Sequence, residues 1–220
     1  MLSALPRRLR PFLRKKGAVV EKDTLYYELS EAFQTDDCPV CHLLDRYEDR
    51  FMQSIFYESV NDSGLRKQIK DSQGLCARHT QQFLQTGDIL GLSIIGADLL
   101  ESWMMTSDSE HDDSCMLCQL RSENERRLTR AFVRYCHIDA FRKGFKSSTG
   151  LCRKHFRSIY KEIKEPAIAD EIKQTEQVKI EKLIADLYEV IRKHDYRFQK
   201  ETIFNKETQA IRQVWNFLRK

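Results

Sequence analysis

One pattern of cysteine and histidine occurs twice in this 220-residue chain. Each copy begins with Cys-x-x-Cys and ends with Gly-Leu-Cys-x-x-His. Residues 42–75 separate the two parts of the first copy and residues 119–151 those of the second, so the spacings differ by one residue. Four candidate ligands in the same order indicate an internal duplication. They are Cys38, Cys41, Cys76 and His79 in the first copy and Cys115, Cys118, Cys152 and His155 in the second.

The residue types in this pattern are those of a structural metal site. Two cysteines separated by two residues can direct both sulfurs at one ion. Cys-x-x-His at the start of a helix places a third sulfur and an imidazole about one turn apart on one face. Three thiolates and one imidazole form a closed tetrahedral set that is typical of structural zinc. The simplest prediction is two zinc sites, each with the four ligands of one copy, although the ligands could also pair across the copies.

Other interpretations of the cysteines stay open at this point. Cysteines with an occasional histidine also hold iron–sulfur clusters, and buried reduced cysteines need no metal. Cys38-Pro-Val-Cys41-His42 matches the haem c attachment pattern, but Gln119 replaces the histidine in the second copy. A thioredoxin-like dithiol lacks its strand–helix–strand context, and a hydrolytic zinc enzyme needs an open coordination position. We therefore expect a protein that is not an enzyme, with Cys136 as a small buried residue outside the repeat.

Apolar residues between the ligands recur at helical spacing. Leu44, Tyr47, Phe51 and Ile55 follow one another at steps of three or four residues, which predicts a helix over about residues 42–59. Only 8 Gly and 4 Pro are present, which disfavours turn-rich β folds. We predict an all-α fold of two pseudo-repeated helical metal-binding units plus a long C-terminal helix. Further helices are expected over Ile89–Met105 and Ile168–Arg197.

The sequence predicts neither a membrane span nor an export signal. No run of residues reaches the roughly 20 apolar positions of a membrane span, and the first residues lack the apolar stretch of an export signal. We expect a cytoplasmic protein with reduced thiols. Trp103, Met104, Met105 and Trp215 are expected in the core.

The chain divides into five expected parts. They are a basic N-terminal tail (1–22), a first helical repeat (23–106), an acidic linker (107–114), a second helical repeat (115–165) and a C-terminal helical segment that packs on the repeats (166–220).

The two copies differ in charge. Residues 42–85 contain six basic and six acidic residues, whereas residues 119–161 contain twelve basic and three acidic residues, a net charge of +9. Residues 1–16 add six basic residues and no acidic one. Because basic groups that neutralise phosphates supply most non-specific affinity for nucleic acids, we predict a nucleic-acid-binding surface. Its expected residues are Arg121, Arg126, Arg127, Arg130, Arg134, Arg142, Lys143 and Lys146, with Arg7, Arg8, Arg10 and Arg14 in the tail.

These patterns together predict a zinc-stabilised helical binding module. It would contact RNA, the ribosome or another nucleic acid through the second repeat and the tail. A solvated helical face, balanced by acidic residues elsewhere, would also explain the charge. The alternative function is an iron–sulfur redox or enzyme-accessory protein, and an adaptor with only protein partners is the plainest one. The tail, which has leucines between its arginines, could also bind weakly to an anionic membrane surface.

The motifs resemble a family of prokaryotic proteins of unknown function. Its members are similar to this chain in having Cys-Pro-x-Cys near the start, Gly-x-Cys-x-x-His after a helical spacer, and a second copy of both. The resemblance covers about residues 23–220 and includes a terminal motif, which here reads Lys193-His194-Asp195-Tyr196-Arg197-Phe198, and then Trp215. It implies a prokaryotic source and a helical metal-binding fold, and no activity. The terminal motif could form a small polar site, but we expect a helix end with a packed Tyr196 and Phe198.

Overall fold

The computed structural model describes residues 20–105, 115–198 and 200–219. Within these ranges every regular element is a helix and none is a strand, which confirms the all-α prediction. None of the described helices is long and apolar enough to cross a lipid bilayer. Arg7, Arg8, Arg10, Arg14 and the acidic linker lie outside the described residues. Predictions about them, and the boundaries of the five expected parts, stay predictions.

The described residues form ten α-helices. They are α1 (Thr24–Ala32), α2 (Pro39–Ser54), α3 (Ser63–Asp71), α4 (Ala77–Gln85), α5 (Ile89–Met105), α6 (Met116–Tyr135), α7 (Asp139–Ser147), α8 (Arg153–Glu162), α9 (Pro166–Lys193) and α10 (Asn205–Leu218). A π-helical turn at Ile55–Ser59 extends α2, so the helix expected over residues 42–59 is present and begins earlier, at Pro39.

The duplication in the sequence is also a duplication of structure. Helices α2, α3 and α4 of the first copy correspond in order to α6, α7 and α8 of the second, and α3 and α7 have the same length of nine residues. Gly74 and Gly150 occupy equivalent positions just before Cys76 and Cys152, with φ of 109° and 101°. These are backbone conformations that favour glycine, and they lie three residues beyond the ends of α3 and α7.

The larger core cluster joins the two copies. The ring of Phe132 in α6 packs against Phe141 and Phe145 of α7, with centroids 5.1 and 5.2 Å away. Phe33, which follows α1, packs on the same rings, and Leu43 of α2 is fully buried in this cluster. Because helices from both copies contribute to one apolar interior, neither copy buries its apolar face alone.

A second core cluster lies at the other end of the first copy. Phe56 of the π-helical turn stacks at a tilt on Phe83 of α4, with centroids 4.6 Å apart. Ile69 of α3 and Ile95 of α5 are buried beside them, and Leu117 from the start of α6 completes the cluster. This cluster also takes residues from both copies.

Four residues that we expected in the core are at the surface. This prediction is wrong for two reasons. Helix α5 buries Gly91, Ile95 and Asp98 and leaves its other faces to solvent, and α10 buries Glu207 and Ala210 rather than its tryptophan. Helical spacing identifies the faces of a helix but does not show which of them a neighbour covers. The exposed fractions are 73% for Trp103, 80% for Met104, 86% for Met105 and 70% for Trp215.

The C-terminal segment consists of two packed helices. Helix α9 contacts α8 of the second copy and packs along α10. It ends at Lys193, four residues before the expected end, where the amide of His194 bonds back to the carbonyls of Val190 and Ile191. The ammonium of Lys193 is buried and lies 2.7 Å from a carboxylate oxygen of Glu207 in α10. This ion pair fixes the two helices to each other.

Candidate metal centres

Four ligand atoms converge in a buried cluster that we call site A, formed by Cys38, Cys41, Cys152 and His155. The Nδ1 atom of His155 lies 3.4 Å from the sulfurs of both Cys38 and Cys41 and 3.2 Å from that of Cys152. The Cys41 and Cys152 sulfurs are 3.7 Å apart. All four residues are buried.

A second cluster, site B, is formed by Cys76, His79, Cys115 and Cys118. The Nδ1 atom of His79 lies 3.2 Å from the sulfurs of Cys76 and Cys115 and 3.4 Å from that of Cys118. The Cys76 and Cys118 sulfurs are 3.7 Å apart. The two sites therefore have the same composition and nearly the same geometry.

The eight candidate ligands group across the copies. Site A takes Cys-x-x-Cys from the first copy and Cys-x-x-His from the second, and site B takes the complementary halves. The simplest prediction, which kept each copy's four ligands together, is wrong. Helices α2 and α6 contact each other. Helix α2 begins at site A and reaches His79 of site B with Glu48, whereas α6 begins at site B and reaches His155 of site A with Glu125, so the two helices are antiparallel. The first turn of each therefore lies beside the Cys-x-x-His segment of the other copy. Sequence spacing is the same for both groupings and cannot distinguish them.

The spacing of the ligand atoms fits a single tetrahedral ion. With zinc–sulfur bonds of about 2.3 Å and zinc–nitrogen bonds of about 2.0 Å, tetrahedral geometry places sulfurs about 3.8 Å apart and sulfur about 3.5 Å from nitrogen. The corresponding separations described above are 3.7 Å between sulfurs and 3.2–3.4 Å between sulfur and nitrogen. All ligand atoms of each site lie within 4.8 Å of one another. Both clusters could therefore hold a metal ion.

Helix starts position the cysteine ligands. Cys38, Cys76, Cys115 and Cys152 each precede the first residue of a helix, and none of their side chains caps that helix by a hydrogen bond. Their sulfurs instead face the clusters. Free backbone N–H groups at a helix start favour negative charge nearby, which stabilises a thiolate ligand.

A glutamate lies behind each histidine. His79 Nε2 forms a hydrogen bond with the Glu48 carboxylate. His155 Nε2 lies 3.2 Å from Glu125 Oε1, within ion-pair distance but without the alignment of a hydrogen bond. A carboxylate on the second ring nitrogen orients a ligating imidazole and leaves its Nδ1 atom free to bind metal. Neither glutamate was predicted from the sequence. The available signal was their position, since each stands seven residues after the second cysteine of its copy, from 41 to 48 and from 118 to 125.

Basic residues complete this arrangement. The Arg78 guanidinium lies 2.6 Å from the second carboxylate oxygen of Glu48. The Lys154 ammonium lies 2.8 Å from the second oxygen of Glu125. Arg78 and Lys154 occupy the same position in the two copies of the repeat. Arg121 adds a second guanidinium at Glu48, also at 2.6 Å. The two carboxylates are therefore held in place by several contacts.

The ionisable groups of site A shift one another's pKa strongly, and in opposite directions. Hydrogen bonds from Cys38 and Cys41 hold the pKa of Cys152 far below its usual range. Burial opposes a charge on His155, but its contacts with the Cys152 and Cys41 sulfurs and with Glu125 raise the pKa of His155 to about 11. Burial, together with the neighbouring sulfurs, raises the pKa of Cys38 in the same cluster.

The two sites differ in exposure. All four residues of site A are buried, whereas in site B Cys76 is half-buried and Cys118 is exposed. A cavity of about 690 Å³ lies between the sites and reaches Cys41, Cys152 and His155 of site A and Cys118 of site B. Small solutes that enter this cavity would reach the sulfur of Cys118 in site B, because that residue is exposed.

A family of unknown function, DUF6062, matches residues 22–110 and 100–220 of the chain. The chain belongs to this family. It is also 29% identical over 177 residues to an "uncharacterized 23.9 kDa protein in xynA 3′ region" of Caldicellulosiruptor sp. (strain Rt8B.4), a match that covers 76% of this chain and 87% of the relative. No solved structure matches the chain. The two overlapping family matches agree with the duplicated units described above.

Four of the predicted nucleic-acid-binding residues line one surface cleft. Arg126, Arg127, Arg130 and Arg134 project from α6 into a cavity of about 670 Å³ that also contacts the start of α1. We call this feature the arginine cleft. Arg134 is paired with Asp23, which caps α1, but none of the other three arginines forms an ion pair with a described residue.

The other predicted residues of the second copy lie elsewhere. Arg121 binds Asp45 and Glu48 of the first copy, and Lys146 binds Glu171 of α9. Arg142 is paired with both Asp139 and Glu171, and Lys143 is exposed. Acidic partners therefore balance part of the second copy's positive charge, as the solvated-face interpretation expected. None of these residues lines the arginine cleft.

Two further candidates from the sequence have structural surroundings. Cys136 is fully buried at the end of α6, outside both clusters, and burial raises its pKa to about 12. In the terminal motif, His194 Nδ1 lies 2.8 Å from the carbonyl of Val190 and Asp195 pairs with Arg197. Tyr196 is exposed, so the expectation that it packs is wrong.

Proposed function

We propose that this protein is a helical nucleic-acid-binding module whose two copies are locked together by two structural zinc ions. The arginine cleft carries the binding part of the proposal, because it gathers unpaired guanidinium groups on one face. The zinc part of the proposal rests on sites A and B, each of which takes its candidate ligands from both copies. RNA, free or in the ribosome, is the expected partner, and DNA would meet the same contacts.

The ligand spacing supports zinc over an iron–sulfur cluster. In a cluster, the cysteines bind different iron atoms and so stand farther apart than the ligands of a single ion. In both sites the four ligand atoms lie within 4.8 Å of one another. A Cys₃His set satisfies zinc with no position left for substrate, which supports a structural role. Anaerobic purification tests this point, since a coloured protein that contains iron would contradict it.

The location of the cleft supports a role for the tail. Asp23, Thr24 and Leu25 line the cleft, and residues 1–16, with six basic residues, precede them in the chain. Since only six residues separate the basic residues 1–16 from Asp23 at the cleft, both can contact the same polyanion. Three unpaired arginines and a basic tail suit a backbone contact that is independent of sequence.

A salt titration with a matched variant tests the binding proposal. Fluorescence anisotropy with labelled single-stranded RNA should show affinity that falls as salt rises. The triple variant Arg126→Gln, Arg127→Gln and Arg130→Gln should bind less tightly, and its log–log salt slope should fall by about 2, since each neutralised phosphate in a single strand contributes about 0.7.

The control has the same change in charge on other helices. Lys173, Lys182 and Lys206 are exposed residues of α9 and α10 outside the cleft, and their triple replacement by glutamine should leave the slope nearly unchanged. An equal loss in both variants would show that net charge alone drives association. Wild-type binding that is absent or insensitive to salt would contradict the proposal.

A further inference from the structure

The last two helices cover one side of site A. We call α9 and α10 the C-terminal pair, because they contact each other more extensively than either contacts the earlier helices. Residues 36–38 and 149–152, each of which ends in a candidate ligand of site A, face the pair across a cavity of only about 20 Å³. Glu176 and Lys179 of α9 and Asn216 of α10 line the other side of this cavity. A space of this size holds about one water molecule, so the pair packs closely on both segments.

A buried carboxyl group of the pair holds the backbone just before Cys152. The amide of Leu151 donates a hydrogen bond of 2.8 Å to Oε1 of Glu176, and only 3% of Glu176 is exposed. The carboxyl group also lies so close to Gly150 that a Cβ there would stand 2.8 Å from one of its oxygens. Since the peptide unit that Glu176 binds leads directly into Cys152, this bond fixes the approach of the chain to site A.

On the same helix, Lys179 holds the earlier part of this loop. Its ammonium group donates to the carbonyl of Phe145 at 2.7 Å and lies 3.3 Å from the hydroxyl of Ser148. That hydroxyl accepts a hydrogen bond of 3.2 Å from the amide of Gly150. Lys179 and Glu176 therefore fix the loop at both of its ends.

The loop also reaches the other cysteine segment of site A. The hydroxyl of Thr149 donates to the carbonyl of Asp37 at 2.9 Å, and the carboxylate of Asp37 accepts a hydrogen bond of 2.7 Å from the amide of Cys38. Arg219, directly after α10, lies 3.8 Å from that carboxylate. The C-terminal pair is therefore connected to the backbone that carries Cys38 as well as to the backbone that carries Cys152.

An apolar residue stands at the corresponding place in the first copy. Helix α5 follows α4 as α9 follows α8, and Gly74 is the counterpart of Gly150. The nearest neighbour of a Cβ at Gly74 would be a methyl group of Leu99 in α5, at 3.6 Å. Site B has the same types of candidate ligand as site A, so it provides an internal reference for the effect of Glu176.

We propose that Glu176 positions Cys152 for metal binding at site A, and that the bound metal in turn holds the C-terminal pair in place. This coupling rests on the zinc binding proposed above, and it assigns to that binding a positioning residue and a responsive segment. Groups behind metal ligands typically contribute 10- to 100-fold to affinity, because they orient the ligands before the ion arrives. Coupling is reciprocal, so a pair that strengthens metal binding must itself be held more tightly when the metal is bound.

Zinc release from the zinc-loaded full chain tests the positioning role. A chromogenic chelator should remove zinc in two phases, and the phase that is missing in Cys152→Ser belongs to site A. Glu176→Ala should speed this phase by about 10- to 100-fold and leave the site B phase unchanged. Glu176→Gln keeps an oxygen that can accept the hydrogen bond from Leu151 and should restore slow release. Glu181 is an exposed glutamate of α9, so Glu181→Ala is the matched control and should change neither phase.

Hydrogen exchange tests the reverse direction. Cys152→Ser removes a ligand of site A, and Cys76→Ser makes the same change at the equivalent position of site B. In the presence of zinc, the amides of α9 and α10 should exchange about 10-fold faster in Cys152→Ser than in the wild-type protein. In Cys76→Ser they should exchange at nearly the wild-type rate. Circular dichroism shows whether each variant is folded.

The possible outcomes separate this coupling from the zinc sites themselves. Equal release from site A in Glu176→Ala and Glu181→Ala overturns the positioning role, and equal exchange in Cys152→Ser and Cys76→Ser overturns the response of the pair. In either case the wild-type protein still binds zinc, and the zinc sites stand. A wild-type protein that binds no zinc overturns the sites and the coupling together. Should Glu176→Ala fail to fold, Glu176→Gln and the exchange comparison still decide the result.

The coupling is independent of RNA binding. Neither Glu176 nor Lys179 lines the arginine cleft, so Glu176→Ala should leave the salt slope of RNA binding unchanged. Loss of RNA binding in the arginine variants and loss of zinc from site A in Glu176→Ala are separate results.

Discussion

The sulfur of Cys41 lies 3.4 Å from Nδ1 of His155, although 114 residues separate the two in the chain. A metal ion bound by both would close a loop across the duplication. An ion in site B would close a second loop, from His79 of the first copy to Cys118 of the second. Two such closures reduce the entropy of the unfolded chain, so metal loss should loosen the contact between the copies as well as each site.

The cross-copy grouping predicts which pairs of cysteines act together. Cys41 and Cys152 belong to site A, so the double variant Cys41→Ser and Cys152→Ser should retain one metal ion per chain. Cys41→Ser with Cys76→Ser removes a ligand from each site and should retain none. Cobalt substitution followed by absorption spectroscopy gives the count. The reverse result, with one ion in the second variant and none in the first, would show that ligands pair within each copy.

The glutamates behind the histidines should tune metal affinity site by site. Glu48→Gln should lower zinc affinity at site B by roughly 10- to 100-fold, because the carboxylate that orients His79 is lost. Glu125→Gln should do the same at site A only. Competition with a chromogenic chelator measures each site. Equal weakening of both sites by either change would mean that the glutamates act through general stability.

Oxidation and chelation should affect site B first. Cys118 is exposed and Cys76 half-buried, with their sulfurs 3.7 Å apart, whereas the site A cysteines are buried. Dilute hydrogen peroxide should oxidise this thiolate pair to a disulfide, reduce the peroxide to water and release one zinc ion before the other. Zinc release with peptide mapping follows the order. Early modification of Cys38 or Cys152 would contradict the exposure argument.

The two equivalent glycines should differ in their tolerance of a side chain. Both have positive φ, so either Gly74→Ala or Gly150→Ala strains the backbone, at a cost of order 1–3 kcal/mol. At Gly150 the new Cβ would also lie 2.8 Å from a carboxylate oxygen of Glu176, whereas at Gly74 its nearest neighbour would be a Leu99 methyl group at 3.6 Å. Chemical denaturation should therefore show a larger loss of stability for Gly150→Ala.

Local sequence signals predicted the helices of this fold well. Apolar spacing indicated the helix after Cys41, and the expected bounds of Ile89–Met105 match those of α5. The duplication indicated that the second copy would repeat the first. The same signals failed for Trp103 and Trp215, because the hydrophobicity of a side chain does not state whether another helix covers it. The charge pattern likewise marked a basic surface but could not separate Arg121, which is paired with Glu48, from the unpaired Arg130.

The sequence by itself determined the set of candidate ligands, because thiol and imidazole side chains in a repeated order have few other uses together. It determined the helical class, because apolar periodicity is a property of neighbouring residues. Only the tertiary structure decided that Cys41 joins His155 and not His79, since that choice depends on the opposed packing of α2 and α6. It also decided that Glu48 and Glu125 lie behind the histidines, and that the outer face of α5 is exposed. These are relations between distant residues, which chain spacing does not encode.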